Sequence, residues 1–245
     1  MKRLEPTYIE IDGHQIPAKV FLENRNNVRV SIGKTAAFLR MPSYYSKKQA
    51  KSQIGWFQRW VKAQFDANEQ LKTRFYPKSY TTGDTFQVGE RSYELIVHKE
   101  NRSTSSANLK NGTIHLKMNK DLTAMQLSKS IKTLLSRVIG KDFKAAITKR
   151  VLELNEQFFQ KDIKSVNLKY NSSNWGSCST KNNINLSTRL LFAPPAVIDY
   201  VIIHELTHLI EMNHSSKFWN IVKSIMPDYK QKEKWLKKNG KFCDF

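Results

Sequence analysis

The sequence predicts an α+β fold, with a strand-rich first part that carries one long helix and a helix-dominated second part. Three observations predict it. Apolar residues alternate through the first 45 positions, recur at intervals of three and four from residue 46, and keep the helical period through most of the chain after residue 120. A chain of 245 residues, 40% of them hydrophobic, can bury a core without disulfide staples. Its 2 cysteines, Cys178 and Cys243, are too few for a disulfide framework.

The elements follow in order. Tyr8, Ile9 and Ile11 precede the turn signal Asp12-Gly13, and Ile16, Ala18, Val20 and Leu22 repeat every second residue. Val28, Val30 and Ile32 do the same before Gly33. From Ser46 to Lys72 only Gly55 interrupts, and Ile54, Phe57, Val61 and Phe65 define a helix with Trp56 and Trp60 one turn apart. Strands are expected at 86–88, 93–98 and 113–118, around Gly89 and Asn111-Gly112. Polar, serine-rich Asn101–Asn108 reads as an exposed loop. A helix follows over 121–160, interrupted near Gly140, and then strands at 164–170 and 184–187. Pro194-Pro195 opens another helix, since proline is tolerated in a first turn. The expected division is 1–120, strand-rich with the long helix, and 121–245.

Lysine and arginine number 41 against 21 acidic residues, a net charge of +20. Such an excess points to anionic partners: nucleic acid, nucleotides or acidic protein surfaces. No window is apolar enough to span a membrane, and no apolar stretch follows Met1-Lys2-Arg3-Leu4-Glu5-Pro6. The expectation is a cytoplasmic protein with no membrane partner. Two basic stretches contain tryptophans. Lys47, Lys48, Lys51, Arg59 and Lys62 accompany Trp56 and Trp60; a lysine series from Lys217 to Lys241 accompanies Trp219 and Trp235. They read either as phosphate-tracking grooves or as core tryptophans with lysines on the wet face.

The chemistry is concentrated in His204-Glu205-Leu206-Thr207-His208 and, six residues on, His214. Histidines at i and i+4 share one helix face, so two imidazoles converge on one metal. Asn213 tolerates a left-handed helix end, where the chain can turn and bring His214 round as a third ligand. Three ligands and one open position describe a catalytic zinc site. Glu205 is placed to take a proton from water that zinc acidifies. With 6 histidines in the chain, an accidental HExxH is expected at roughly the 1% level. The apolar run Val197, Tyr200, Val201, Ile202 and Ile203 marks this helix as buried, and buried histidines need partners.

Around this motif stand Trp175-Gly176-Ser177-Cys178-Ser179, Asn185-Leu186, Arg189-Leu190, Ala193-Pro194-Pro195, Tyr200-Val201, Asn213-His214-Ser215, Phe218-Trp219 and Pro227-Asp228-Tyr229. Together they closely resemble the YgjP-like metallopeptidase family, densely over about 165–236 and more loosely upstream, where Thr82-Gly83-Asp84 falls. The resemblance implies a zincin-like (minigluzincin) second part, a single Zn2+ and hydrolase activity on a peptide or protein substrate. The histidine spacing is also similar to that of SprT- and Wss-type proteases, which act on proteins crosslinked to DNA.

Each further motif residue has two readings. Tyr229 and Arg189, as hydrogen-bond donors within family motifs, are candidate oxyanion stabilisers beside Glu205; each can equally be structural. The strand at 183–187 is either an edge that pairs with a peptide or an internal strand. Trp175-Gly176 is a turn over the site or a core tryptophan. Cys178 is a fourth, latency-conferring ligand or a small buried hydrophobe. Glu211 is a partner for an imidazole N–H or a solvated glutamate. Asp199 serves the helix dipole. His14, His98 and His115 lack ligand spacing and read as non-catalytic. Besides a peptidase, the sequence admits a metal-dependent hydrolase of a nucleoside triphosphate, although no phosphate-cradling glycine loop is present. It also admits a nucleic-acid-binding protein with an accessory metal site.

Overall fold

In the computed structural model residues 2–3 and 7–245 are described, residues 2, 3 and 7 by their backbone alone. Much of the charged N-terminal stretch, from which no signal peptide is expected, lies outside the described residues. The chain divides into two compact units, Met1–Lys78 and Ser79–Phe245. No helix among the described residues is long and apolar enough to cross a membrane.

The first unit is a mixed sheet with two helices. Strands β1 (Lys2–Arg3), β2 (Thr7–Ile11), β3 (His14–Glu23), β4 (Arg29–Ile32) and β5 (Ala37–Pro42) are ordered β1-β3-β5-β4, with β2 also pairing with β3. Asp12 and Gly13 have φ of 50° and 75°, so the β2–β3 hairpin closes through a two-residue turn of the hand that matches strand twist. Helix α1 (Lys47–Ala67) begins at Ser46, whose hydroxyl accepts from the Gln49 N–H while the Gln49 side chain accepts from the Ser46 N–H. Phe57, Val61 and Phe65 recur at helical spacing and are buried in one core with Ile16, Val20 and Leu39. The helix expected to reach Lys72 stops earlier. Asn68 accepts from the Gln70 N–H and caps a new helix, α2 (Glu69–Phe75).

The second unit holds two sheets. Strands β6 (Thr85–Val88), β7 (Arg91–Glu100), β8 (Ser106–Lys110) and β9 (Thr113–Asn119) are ordered β6-β7-β9-β8. Strand β8 lies in and beyond the segment read as a loop. Only Ala107 and Leu109 are apolar in it, and both pack on the core, so the alternation is too short to read. Helix α3 (Ala124–Phe158) runs unbroken for 35 residues. Gly140 is no interruption but a close approach, since a Cβ there would stand 2.9 Å from the Thr188 methyl. Strands β10 (Ser165–Lys169), β11 (Gly176–Cys178) and β12 (Asn183–Ser187) form a sheet ordered β10-β12-β11. A 3-10 turn (Thr188–Phe192) leads to α4 (Pro195–Thr207), α5 (Ser216–Ile225) and α6 (Tyr229–Asn239).

The division expected near residue 120 falls instead after residue 78. Leu95 of β7 and Ile114 and Leu116 of β9 share one core with Ile131, Leu135 and Ile139 of α3. The middle strands therefore belong with the helices that follow them. Phe57 is 1% exposed at the centre of the other core. Phe57→Ala should cost about 3–5 kcal/mol. Urea unfolding followed by circular dichroism checks this, and a loss below about 1 kcal/mol would show that the α1 face is not packed as described.

Candidate active site

Helix α4 carries His204 and Glu205, and its C-cap carries His208, into a cleft of about 600 Å³. Trp175–Cys178 line the cleft, and so do Glu233, Leu236 and Lys237 of α6. The His204 and His208 ring centroids are 5.2 Å apart, as one helical turn dictates. His214 comes from the segment between α4 and α5, and its ring lies 4.9 Å from His204 and 4.8 Å from His208. Nitrogens from all three lie within 4.8 Å of one another.

The return of His214 differs from expectation. Helix α4 ends at Thr207, and the chain turns through residues 208–215 without a positive φ at Asn213. Ser215 then caps α5 through the Phe218 N–H. Phe218 is fully buried, with its ring 4.7–4.9 Å from all three imidazoles. It packs against all three rings. As a bare aromatic in a motif, Phe218 gave the sequence no chemical signal.

The donor set suits a metal cation. Burial, then the neighbouring imidazoles, push His204 down to about 4, and burial also lowers His208, so both present neutral rings. The His208 Nδ1–H donates to the Glu211 carbonyl at 3.1 Å, which leaves Nε2 as the free lone pair. The expected help from Glu211 thus comes from its backbone. Its carboxylate instead faces Lys217 at 3.8 Å. Cys178 is not part of the three-residue donor cluster; its Sγ contacts the Ser179 carbonyl, and burial pushes the thiol up to about 11. The cluster therefore has three protein donors and an open side.

Glu205 is only 5% exposed and contributes to the cleft. Burial raises its carboxyl to about 8, and the Cys178 backbone N–H partly counters that rise. Gly176 makes this placement possible, since a Cβ there would come within 2.6 Å of Glu205 Oε1.

Arg189 and Tyr229 do not line the cleft. The Arg189 guanidinium donates to the carbonyls of Cys243 (2.9 Å), Ser172 (3.1 Å) and Gly240 (2.6 Å) and lies 4.7 Å over the Trp175 ring. Three of its five N–H groups are held by backbone carbonyls and it does not line the cleft, so its contacts are those of a staple. Tyr229 is buried and stacks on Trp219, 5.4 Å between centroids, and less closely on Tyr200. Strand β12 is interior, between β10 and β11, so the edge beside the site is β11. Asp199 makes a two-toothed pair with Arg150 of α3, both contacts at 2.8 Å, and is no dipole partner alone. His14 lies tilted against the Tyr76 ring, and His98 and His115 lie on strands β7 and β9, outside the histidine cluster.

The profile of the YgjP-like metallopeptidase domain matches residues 26–239, nearly the whole chain. The chain belongs to the YgjP-like family. It is thus a metallopeptidase, and the cleft with its three histidines lies inside the family's domain. Among solved structures, this YgjP-like chain is similar to the metallopeptidase zymogen abylysin of Pyrococcus abyssi. That match has 22% identity over 38% of this chain and 93% of that one, with a TM-score of 0.34. The zymogen jannalysin of Methanocaldococcus jannaschii matches with 21% identity over 38% and 94%, also with a TM-score of 0.34. No curated protein matches the chain.

Gly176→Ala should displace the Glu205 carboxylate and leave the imidazoles in place. Activity on a peptide that the wild type cleaves should fall about a hundredfold, as a displacement near 1 Å commonly costs. Metal content should be unchanged. Wild-type turnover in this variant would mean that Glu205 does not need its position against β11.

Proposed function

We propose that the protein is a zinc peptidase in which His204, His208 and His214 hold the ion and Glu205 is the general base. The observation that carries this reading is the convergence of three imidazole nitrogens within 4.8 Å, open on the side of the cleft that Glu205 borders. Neutral imidazoles in a three-donor set with an open position suit zinc in a catalytic role. When bound, zinc supplies Lewis acidity that acidifies water and polarises a carbonyl.

The chain's own residues do the remaining work. Glu205 accepts the proton of the attacking water and returns it to the leaving nitrogen. Burial gives it a proton affinity well above that of an ordinary carboxylate, which suits that exchange. The scissile segment lies along β11, whose outer edge forms the cleft wall, and pairs with it as an added strand. The hydrophobic side of the cleft, with Trp175, Tyr200, Val201 and Leu236, accepts an apolar side chain. A nucleoside triphosphate fits poorly. Lys237 is the only lysine or arginine among the described lining residues, and it is paired with Glu233 at 2.6 Å.

Elemental analysis should find about one zinc per chain, lost in His208→Ala and His214→Ala. Glu205→Gln should keep the zinc and lose at least about a hundredfold in peptide hydrolysis. Metal-free protein after zinc-replete expression, or an active Glu205→Gln variant, would overturn the assignment.

Strand pairing is tested with peptides N-methylated at single positions. Methylation at alternate residues should weaken binding to Glu205→Gln protein, because every second N–H of an added strand faces its partner. Equal binding by all the methylated peptides would remove β11 as the docking edge.

A further inference from the structure

The sheet of the first unit buries one face under α1 and α2, and its other face has an unusual composition. The pairing register places Phe21, Arg40 and Arg29 in one row across β3, β5 and β4. The neighbouring row on the same face holds Lys19, Phe38 and Ser31. Phe21 and Phe38 are half-buried and belong to neither apolar core. Their rings lie 6.5 Å apart with planes inclined by only 13°. Phe38 lies against Gly33, where a Cβ would stand 2.7 Å from the ring. The Arg40 guanidinium is 5.6 Å and 5.2 Å from the two ring centroids, and Lys19 Nζ is 5.8 Å from that of Phe38.

This arrangement is electrostatically costly for the sheet alone. Arg29 stands directly opposite Arg40, and like charges in that position destabilise a strand pair. Glu23 is shared between Arg25 at 3.3 Å and Arg40 at 3.5 Å. Lys19 and Arg29 make no ion pair among the described residues. The first 78 residues hold 15 lysines and arginines against 6 acidic residues, so the repulsion is not relieved nearby in sequence.

Parallel rings on an open sheet, bordered by cations in excess, are complementary to a flexible polyanion that carries flat rings of its own. Single-stranded nucleic acid has both features, whereas a duplex hides its ring faces and a lipid headgroup has none. We propose that this face of the first sheet binds single-stranded nucleic acid. Phe21 and Phe38 stack bases, the Arg40 guanidinium stacks beside them, and Lys19 and Arg29 contact phosphates. The surface is separate from the α1 lysines, since α1 packs on the opposite face.

The test uses the full chain and a labelled single-stranded oligonucleotide of about 12 nucleotides, within the range bound by such sites. Anisotropy is measured from about 50 to 200 mM salt. Binding should weaken with salt, and Lys19→Gln and Arg29→Gln should each reduce the log–log slope by about 0.7. Phe21→Leu and Phe38→Leu keep an apolar side chain but remove the ring. Each should weaken binding roughly fivefold or more at unchanged slope, with melting temperature and zinc content retained. Any one of the following results would overturn the proposal. The first is no binding at the lowest salt. The second is full affinity in both leucine variants. The third is binding to duplex DNA, anionic vesicles or an acidic peptide that equals binding to the single strand and responds to the same substitutions. Dependence on Lys47, Lys48 and Lys51 alone would move the site to α1 and also reject it.

Discussion

Helix α4 has to bury most of its circumference and still deliver two imidazoles and a carboxylate to one opening. Val197, Tyr200, Val201, Ile202, Ile203 and Leu206 occupy the core. A buried carboxyl is costly in that setting: burial raises its proton affinity, and the Cys178 N–H partly offsets that rise. The neighbouring choices follow from this one helix. Gly176 lacks the Cβ that would strike Glu205, Phe218 packs against the three imidazoles, and the Arg150–Asp199 pair ties the helix to α3.

The cleft wall at Trp175–Cys178 depends on groups remote from the chemistry. Arg189 holds the Ser172 carbonyl and the Trp175 ring on one side and the Gly240 and Cys243 carbonyls on the other. A Cβ at Gly240 would stand 2.5 Å from the Trp175 ring, so α6 and the wall meet without slack. Beyond them, Asp244 pairs with Lys132 of α3, and Phe245 packs against Phe192. The last residues therefore brace the cleft through the strand segment that borders it. That rigidity suits a site whose carboxylate and imidazoles must keep a fixed spacing.

The basic charge of the chain is not spent on the cleft. The described cleft lining has one lysine, tied to a glutamate, so the lining adds no unpaired lysine or arginine to the cleft. The excess lies elsewhere, on helix surfaces and on the outer face of the first sheet. Lysines and arginines that do not line the cleft take no part in the chemistry proposed for it.

The sequence by itself determined what lies within a few residues of chain. The period of 3.6 puts His204 and His208 on one face, Asp12-Gly13 closes a hairpin, and Ser46 with Gln49 starts α1. It also brought His214 within reach, although by a turn different from the one expected. Only the tertiary structure decided that β11 rather than β12 is the edge, that the Glu211 carbonyl rather than its carboxylate orients His208, and that Arg189 is a staple. The physical reason is distance along the chain. Arg189 finds Cys243 54 residues away, and a donor's role is fixed by whichever acceptor packing brings to it.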